Sequence, residues 1–400
     1  MSLIVRTTRL SASDDLLDHL PKDHPLAWVR RGEGLVAWGR AAEIRTAGPT
    51  RFSDAGKWFT ELAARTEVAD EVDEPGTGLV AFGAFGFADD PGHSTLIVPE
   101  MVIGRRGAST WITTVNDSLQ PMPEPVVPLP DLAWSDGALD RNAWLERVRA
   151  AVARIQDGDL DKVVLARDLV ATAPEPIDVR GPLRRLAAEY PNTWTFHVDG
   201  LFGATPELLV RRERGLVTSR VLAGTIRRTG DDAQDLALAA ALARSSKDLE
   251  EHEYAVESVA SALEAHCSSM NVPEAPYVLH LPNVMHLATD VTGVAHDSST
   301  ALELAASLHP SAAVGGTPTD RALALITELE GMGRERYAGP VGWIDASGDG
   351  EWGIALRSAQ INGNEVRLFA GCGIVGSSDA EAEWVESEAK FVPVRDALSS

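Results

Sequence analysis

The segment from Gly339 to Val375 restricts the possible folds of this chain more than any other. Its apolar runs are separated by Ser-Gly-Asp-Gly and Asn-Gly-Asn, which are residues typical of tight hairpin turns. Strands joined by such short turns pair antiparallel, because a parallel pair needs a long crossover connection. The segment therefore predicts an antiparallel meander and not a βαβ unit.

Further strands and helices are predicted around this meander. Apolar runs indicate strands over 34–38, 78–85, 163–166, 193–198 and 216–223. Helical spacing or composition indicates helices over 142–156, 233–266, 299–307 and 379–390. Because helices and sheets alternate only at this coarse scale, we expect an α+β or layered α/β arrangement.

A proline-rich stretch divides the chain. Residues Gln120 to Pro130 include five prolines, which exclude a regular helix or a central strand, so we interpret the stretch as a connector. Residues 1–125 then form a sheet-rich N-terminal part and 126–400 form the remainder. The length of 400 residues would by itself suggest two or three domains.

The charge of the chain excludes several classes of partner. There are 36 lysines and arginines against 59 aspartates and glutamates, and the net charge of −23 repels nucleic acid and anionic membranes. The only apolar run near the N-terminus is Leu3-Ile4-Val5, and no segment approaches the length of a membrane-spanning helix. The two cysteines have no CxxC spacing, so neither a disulfide framework nor a cysteine zinc site is indicated. We expect a cytoplasmic protein.

Two pairs of carboxylates have a spacing that could serve a metal ion. Asp248 and Glu251 are three residues apart, and so are Glu383 and Glu386, which places each pair on one face of a helix. A ligand set made only of oxygen atoms favours Mg²⁺ or Ca²⁺. Such pairs are also common on the solvated helix faces of acidic proteins. The residues alone leave both interpretations open.

Three other residues are ambiguous when taken one at a time. Lys162, which precedes a buried strand, and Glu207, which follows a proline, are each more typical of a surface or turn position. Cys372 lies between two glycines without an adjacent base, which is more typical of a packed turn than of a nucleophile. Taken one at a time, the residues indicate no more than a soluble enzyme with a candidate Mg²⁺ site.

A set of longer motifs resembles the chorismate-utilising enzyme family. In the order of that family, the chain contains DKVVLAR from Asp161, GATPELL from Gly203, LAGTIRR from Leu222, SKDLEEH from Ser246, LHPSAAVGGTP from Leu308, RYAGPVGW from Arg336, ALRSAQI from Ala355, FAGCGIV from Phe369 and EWVESEAK from Glu383. Residues 1–125 are similar only to the variable N-terminal part of the family. The resemblance implies one large α/β (α+β) domain of two packed antiparallel β-sheets with helices outside, in place of two domains.

The resemblance also implies a cofactor and a substrate. The substrate would be chorismate, a dicarboxylate, and the cofactor would be Mg²⁺. Glu251 and Glu386 match the direct metal ligands, and Asp248 and Glu383 match flanking or water-mediated positions. A metal ion that bridges protein and substrate carboxylates would offset the repulsion between chorismate and a chain of charge −23.

Two residues match the groups that transfer protons. Lys162 matches a general base that activates water for attack at C2, and Glu207 matches a general acid that protonates the departing C4 hydroxyl. These roles require a neutral lysine and a protonated glutamate, opposite to their reference states. Because burial favours the neutral form of both, we predict a lowered pKa for Lys162 and a raised pKa for Glu207.

The remaining matched positions would contact the substrate. Arg357 and Tyr337 match the pair that holds the enolpyruvyl carboxylate, since arginine can bind a carboxylate through two hydrogen bonds. The other positions that the resemblance assigns to the substrate site are Gly224, Thr225, His286, Ala313, Gly371, Gly373 and Lys390.

Residues that differ between members of the family distinguish the reactions that those members catalyse. Synthases that use ammonia typically carry glutamine where Lys162 stands, and one group has a nucleophilic lysine where this chain has Ala223. The resemblance therefore implies water as the nucleophile, isochorismate as the product, no glutaminase subunit and a monomeric enzyme. Salicylate synthesis remains the alternative, although salicylate synthases tend to have threonine at the position of Ala313. The sequence does not indicate whether the product serves menaquinone, a siderophore or salicylate.

Overall fold

Two large β-sheets form the frame of the protein in the computed structural model, which describes residues 3–11, 15–89, 93–116, 118 and 124–399. In chain order the strands are β1 (Ile4–Arg9), β2 (Pro25–Arg30), β3 (Glu33–Trp38), β4 (Ala42–Thr46), β5 (Glu67–Asp70), β6 (Val80–Ala84), β7 (Ser94–Val98), β8 (Met101–Arg106), β9 (Ser109–Val115), β10 (Ala133–Asp136), β11 (Lys162–Thr172), β12 (Trp194–Val198), β13 (Leu201–Thr205), β14 (Leu208–Glu213), β15 (Leu216–Arg227), β16 (Cys267–Asn271), β17 (Tyr277–His280), β18 (Val284–Ala295), β19 (Gly316–Thr317), β20 (Pro340–Asp345), β21 (Gly350–Ile354), β22 (Ser358–Asn362) and β23 (Glu365–Ile374).

Helices flank the sheets. They are α1 (Arg51–Ala63), α2 (Arg141–Gln156), α3 (Arg180–Glu189), α4 (Asp232–Leu242), α5 (Ser246–Glu264), α6 (Ala301–Leu308), α7 (Thr319–Glu330) and α8 (Ala380–Ala397), with a 3-10 helix at Leu16–His19. No helix in the described part of the chain is both long and apolar enough to cross a membrane.

The sheets are almost entirely antiparallel. The first sheet has the order β10-β11-β23-β22-β13-β12-β2-β3-β8-β9-β1-β5, with β19 beside β11. The second has the order β16-β18-β15-β14-β21-β20-β6-β7-β4, with β17 beside β18. Only β1 and β5 pair in parallel among the strand pairs of the described residues. The predicted fold class, two packed antiparallel sheets with helices outside, is confirmed.

The predicted meander is divided between the two sheets. Strands β20 and β21 form a hairpin in the second sheet, and β22 and β23 form a hairpin in the first. The chain crosses between the sheets over 355–357, where Arg357 has a φ of 48° in the left-handed region. The predicted antiparallel pairing is therefore confirmed. The prediction of one continuous meander is wrong, because the chain passes from the second sheet to the first after β21.

Both sheets continue across the predicted boundary between residues 125 and 126. Strand β2 pairs with β12 in the first sheet, and β6 pairs with β20 in the second. Of the predicted connector Gln120–Pro130, residues 120–123 lie outside the described residues, and 124–130 contain neither helix nor strand.

The helix predictions were correct in part. Helix α2 confirms the helix over 142–156, whereas the single helix predicted over 233–266 is divided into α4 and α5. The division occurs because the side chain of Ser245 accepts a hydrogen bond from the backbone N–H of Asp248 and caps a new helix. Helices α1, α3 and α7 were not predicted, and α1 lies in the stretch that was expected to be sheet-rich.

Large aromatic side chains fill the space between the two sheets. One buried cluster contains Trp28 and Phe196 from the first sheet and Phe82 and Trp343 from the second. Strand residues buried on both faces explain why runs such as Val163-Val164-Leu165-Ala166 are continuously apolar instead of alternating. A separate buried cluster lies between the first sheet and helices α3 and α8.

We expect Phe82→Ala to destabilise the protein by about 3–5 kcal/mol, because the fully buried ring would leave a cavity between the sheets. Urea denaturation measures the change in the free energy of unfolding. The exposed Val385→Ala serves as the control, with an expected change below about 0.5 kcal/mol. Equal effects of the two substitutions would contradict the packing described here.

Candidate active site

The candidate site lies where the chain crosses between the two sheets. Glu207 is in the crossing from β13 to β14, and Arg357 is in the crossing from β21 to β22. The two crossings are held side by side, since the N–H of Ile354 donates to the carbonyl of Glu207 at 3.2 Å and the N–H of Ala204 donates to the carbonyl of Arg357 at 3.1 Å. This pairing brings the carboxyl group of Glu207 and the guanidinium of Arg357 from distant parts of the sequence into one cavity.

Most of the residues assigned by the resemblance line this cavity. The lining includes Glu207, Gly224, Thr225, Glu251, His286, Ala313, Tyr337, Arg357, Gly371, Gly373 and Lys390. Four assigned residues are outside the lining: Lys162, Asp248, Glu383 and Glu386. Of these, Lys162 contacts the lining residue Glu251 directly.

Lys162 is completely buried at the start of β11. Its Nζ lies 3.4 Å from Oε1 of Glu251 and 3.4 Å from the backbone oxygen of the same residue. Burial lowers the pKa of Lys162, although the carboxylate of Glu251 opposes the shift. The predicted direction is confirmed. The interpretation of Lys162 as a surface residue is wrong, because β11 is covered on both faces and Glu251 offsets the charge.

Glu207 is also buried and has the opposite shift. Burial raises the pKa of Glu207 to about 8, while a hydrogen bond from the backbone N–H of Leu222 to the carboxylate works against this change. The predicted direction is again confirmed, and Glu207 is mostly protonated at pH 7. The expected turn position is confirmed, because Glu207 lies in the short connection between β13 and β14, whereas a surface position is wrong, because this connection is buried.

Three carboxylates on α5 and α8 are paired with three lysines. The atom pairs are Glu251 Oε1 with Lys162 Nζ at 3.4 Å, Glu383 Oε1 with Lys247 Nζ at 2.6 Å, and Glu386 Oε1 with Lys390 Nζ at 2.6 Å. Lys247 was not assigned from the sequence, although it lies in the SKDLEEH motif. The pairs compensate charges that have lost much of their contact with water.

Two of these carboxylates form a close group with a thiol. Ligand atoms of Cys372, Glu383 and Glu386 all lie within 4.8 Å of one another, whereas Glu251 and the half-buried Asp248 are outside this group. Burial and the neighbouring Glu386 raise the pKa of Glu383 to about 7. Burial alone would raise the pKa of Glu386 as well, but Lys390 lowers it. Adjacent buried carboxylates of this kind are stabilised by a divalent cation.

The thiol of Cys372 is not an activated nucleophile. Burial raises the pKa of Cys372 well above its usual value, and nearby carboxylates add to the shift. Its Sγ donates a hydrogen bond to the backbone oxygen of Glu383 at 3.3 Å. The interpretation as a packed residue agrees with this environment.

Glycines allow the carboxylates to approach the strands. A Cβ placed on Gly373 of β23 would lie 2.0 Å from Oε1 of Glu251. Gly224 of β15 has a φ of 74°, and a Cβ there would lie 2.9 Å from the Cβ of Asp248. Any larger residue at position 373 would therefore displace the Glu251 carboxylate.

Arg357 is held in the cavity by His286. The guanidinium Nη2 lies 3.0 Å from Nε2 of His286, and because arginine only donates, Nε2 must accept. The proton of the imidazole is then on Nδ1, which faces Oγ1 of Thr225 at 3.1 Å and the carbonyl of Gly224 at 3.4 Å. Burial and the charge of Arg357 lower the pKa of His286 well below its usual value, so the ring is neutral.

Two further polar groups of the cavity have defined positions. The ring of Tyr337 stacks on Phe369 with centroids 5.1 Å apart. Nζ of Lys390 donates to the carbonyl of Gly371 at 2.8 Å. Burial by itself would lower the pKa of Lys390, but the contact with Glu386 raises it.

A buried ion pair that the sequence analysis missed supports the wall of the cavity. Nη2 of Arg334 contacts Oε1 of Glu330 at 2.5 Å and donates to the carbonyl of Val164 at 2.7 Å, and Nη1 donates to the carbonyl of Val314 at 2.8 Å. Glu330 in turn accepts from the N–H of Ala166 at 2.7 Å. The pair joins β11 to the loop of Ala313. In the sequence, this ion pair was indicated only by the four-residue spacing of Glu330 and Arg334.

Comparisons with known proteins give one consistent result. A family model described as chorismate binding enzyme matches residues 116–399. Isochorismate synthase DhbC of Bacillus subtilis is 43% identical over 256 residues, which are 61% of this chain and 64% of that protein. Isochorismate synthase MenF of the same organism is 36% identical over 264 residues, which are 65% of this chain and 56% of that protein. The matches thus span less than two thirds of either relative.

A solved structure extends the similarity to the whole fold. MenF of Escherichia coli, described as the menaquinone-specific isochorismate synthase, superposes with a TM-score of 0.82 at 26% sequence identity. The superposition covers 99% of this chain and 95% of the other. It therefore includes the N-terminal strands that precede the family model.

If Glu251 holds Mg²⁺ as the resemblance implies, Gly373→Ala should weaken Mg²⁺ binding by about 10- to 100-fold, because the new methyl group would displace the Glu251 carboxylate. Isothermal titration with MgCl₂ measures the affinity, and circular dichroism monitors the fold. Gly376→Ala is the matched control, since its Cβ would meet Ile155 at an ordinary 3.5 Å. The same Mg²⁺ affinity in both variants would contradict a metal site at Glu251.

Proposed function

Because the chain belongs to the chorismate-binding enzyme family, we propose that it is an isochorismate synthase, which converts chorismate reversibly to isochorismate. The proposal rests mainly on two buried groups with opposite pKa shifts: Glu207, which lines the cavity, and Lys162, which contacts the lining residue Glu251. A neutral lysine and a protonated glutamate are the states needed to add water at C2 and remove the C4 hydroxyl.

The two groups move the protons of the reaction. Nζ of Lys162 takes a proton from water as the water oxygen bonds to C2 and the ring double bonds shift. Glu207 gives its proton to the C4 oxygen, which leaves as water. One water enters and one leaves, so the reaction is an isomerisation. The resulting ammonium of Lys162 is stabilised by Glu251, and the initial states are restored by proton exchange with solvent.

Other cavity residues hold the dianionic substrate. Arg357, oriented by His286, can bind the enolpyruvyl carboxylate through two parallel hydrogen bonds, with Tyr337 beside it. Backbone N–H groups near Gly224 and Gly373 can approach the remaining oxygens because these positions lack side chains. These donors provide local attraction in a chain whose overall charge repels anions.

The donor set on α5 and α8 fits a magnesium ion. Glu251 and Glu386 would hold the ion directly, and Asp248 and Glu383 would act through water. The thiol of Cys372 stays protonated and is a poor ligand for a hard cation, so oxygen atoms dominate. Mg²⁺ bound here would neutralise the C1 carboxylate of chorismate and favour charge development in the ring.

The proposal is tested by incubating the purified protein with chorismate and Mg²⁺, with and without EDTA, and separating the products by chromatography. We expect isochorismate to form from chorismate only when Mg²⁺ is present. Because the proposed reaction is reversible, incubation of isochorismate should give the same final mixture of the two compounds. Salicylate and pyruvate would assign the protein to the alternative reaction. Unchanged chorismate at all times would contradict both.

Replacement of either proton-transfer group should reduce kcat with little change in KM. We expect Lys162→Gln and Glu207→Gln each to lower kcat by about 10²- to 10⁴-fold, the usual contribution of a positioned acid or base. Lys57→Gln and Glu61→Gln make the same side-chain replacements at exposed positions and should retain normal rates. Variants of Lys162 and Glu207 that turn over at rates close to the controls would rule out these roles.

The pH dependence should reflect the protonation of Glu207. Its pKa of about 8 lies above the usual value, so the acid form is present at lower pH and is lost as the pH rises through 8. We therefore expect kcat/KM to decrease above about pH 8. The residual activity of Glu207→Gln should lack this decrease, because the amide does not ionise. A wild-type profile that is flat to pH 9.5 would be inconsistent with Glu207 as the acid.

A further inference from the structure

A second cleft, of about 390 Å³, lies between the two sheets. Within the described ranges its lining shares no residue with the catalytic cavity. The β2–β3 and β8–β9 hairpins of the first sheet form one side, and β14, β20 and β21 of the second sheet contribute the other. Its size is that of a site for a small molecule.

The lining of this cleft is strongly basic. Five arginines contribute to it, against the two carboxylates Glu33 and Glu351: Arg30, Arg31, Arg105, Arg106 and Arg211. Like charges in a partly enclosed space repel one another, so a cluster of arginines is unfavourable without an anion. This cluster also contrasts with the net charge of −23 of the whole chain. Burial, followed by the charges of Arg220, Arg31 and Arg211, lowers the pKa of Arg30 to about 10.

The buried carboxylate of the cleft, Glu351, accepts hydrogen bonds from three other residues of the lining. Oε2 of Glu351 accepts from the indole N–H groups of Trp28 at 2.8 Å and Trp194 at 3.0 Å. Oε1 accepts from Nε of Arg211 at 2.8 Å. Glu351 therefore fixes the wall of the cleft, and its single charge offsets only part of the charge of the five arginines.

Two guanidinium groups have donors available. Nε of Arg30 donates to the backbone oxygen of Asn192 at 2.9 Å, and Nε of Arg31 donates to Oδ1 of the same residue at 2.8 Å. In the described part of the chain these bonds leave the Nη atoms of both arginines for another acceptor. The guanidinium of Arg30 also lies 4.3 Å from the ring centre of Trp194, which fixes its plane.

Two buried indole groups of the lining lack acceptors. Trp111 and Trp343 are 1% and 3% exposed, and their Nε1 atoms have no hydrogen-bond partner among the described residues. A buried donor without an acceptor is costly and uncommon in folded proteins. At this wall the arginines provide the donors and the two indole rings provide an aromatic surface.

We propose that this cleft binds a small organic anion that carries carboxylate or phosphate groups on a flat apolar body. Arg30 and Arg31 bind the acidic groups through their planar forks. The rings of Trp111 and Trp343, together with Leu35, contact the body of the ligand. This site is independent of the proposed reaction, since it contains none of the catalytic groups.

Phthalate, an aromatic dianion, is the probe, with neutral phthalamide as the comparison. We expect saturable binding of phthalate to the full chain by isothermal titration, and no binding of phthalamide. Arg30→Gln/Arg31→Gln should weaken phthalate binding by about tenfold or more, because two charge-assisted contacts are lost. Arg147→Gln/Arg149→Gln removes the same charge from the exposed face of α2 and should bind phthalate normally.

A second measurement does not depend on the stability of the variants. Indole N–H resonances of the wild-type protein, assigned with Trp111→Phe and Trp343→Phe, should shift on addition of phthalate. Absence of saturable binding, or unchanged resonances at both tryptophans, would overturn the proposal. Binding that is lost in Arg357→Gln and retained in Arg30→Gln/Arg31→Gln would place the probe in the catalytic cavity and would also overturn it.

Discussion

Charge compensation between buried carboxylates and buried lysines is the constraint on which the rest of the site depends. Three carboxylates on α5 and α8, those of Glu251, Glu383 and Glu386, are tolerated in this interior because a lysine amino group lies against each of them. Removal of one partner would leave an uncompensated charge at a cost of about 3–5 kcal/mol. The two helices and β11 are therefore fixed relative to one another by the same groups that the proposed chemistry uses.

The lysines compensate the charge of the carboxylates only in part, which favours the proposed reaction. Burial moves Lys162 toward its neutral form, so the carboxylates retain excess negative charge. Excess negative charge from oxygen donors is the condition under which a divalent cation binds. The same enclosure keeps Glu207 protonated. A single physical cause, the loss of water around ionisable groups, thus prepares the base, the acid and the proposed metal site.

The sequence could predict those parts of the structure that depend on local spacing. The carboxylate pairs do lie on helices, and the turns around the Ser-Gly-Asp-Gly and Asn-Gly-Asn sequences do form antiparallel hairpins. Local patterns do not indicate which sheet a hairpin joins, so the crossing at Arg357 was not foreseen. They also do not reveal burial of a single charged residue such as Lys162, because its partner Glu251 is 89 positions away.

The proposed proton transfer requires Glu207 to be a neutral acid at physiological pH, and titration of its carboxyl group measures this state without relying on activity. Carbon-13 NMR of the full chain labelled at glutamate side-chain carboxyls, with the resonance assigned by Glu207→Gln, follows the group itself and not the turnover rate. We expect a midpoint near pH 8, because burial raises the pKa of this group. A midpoint near the ordinary glutamate value of about 4.3 would contradict it.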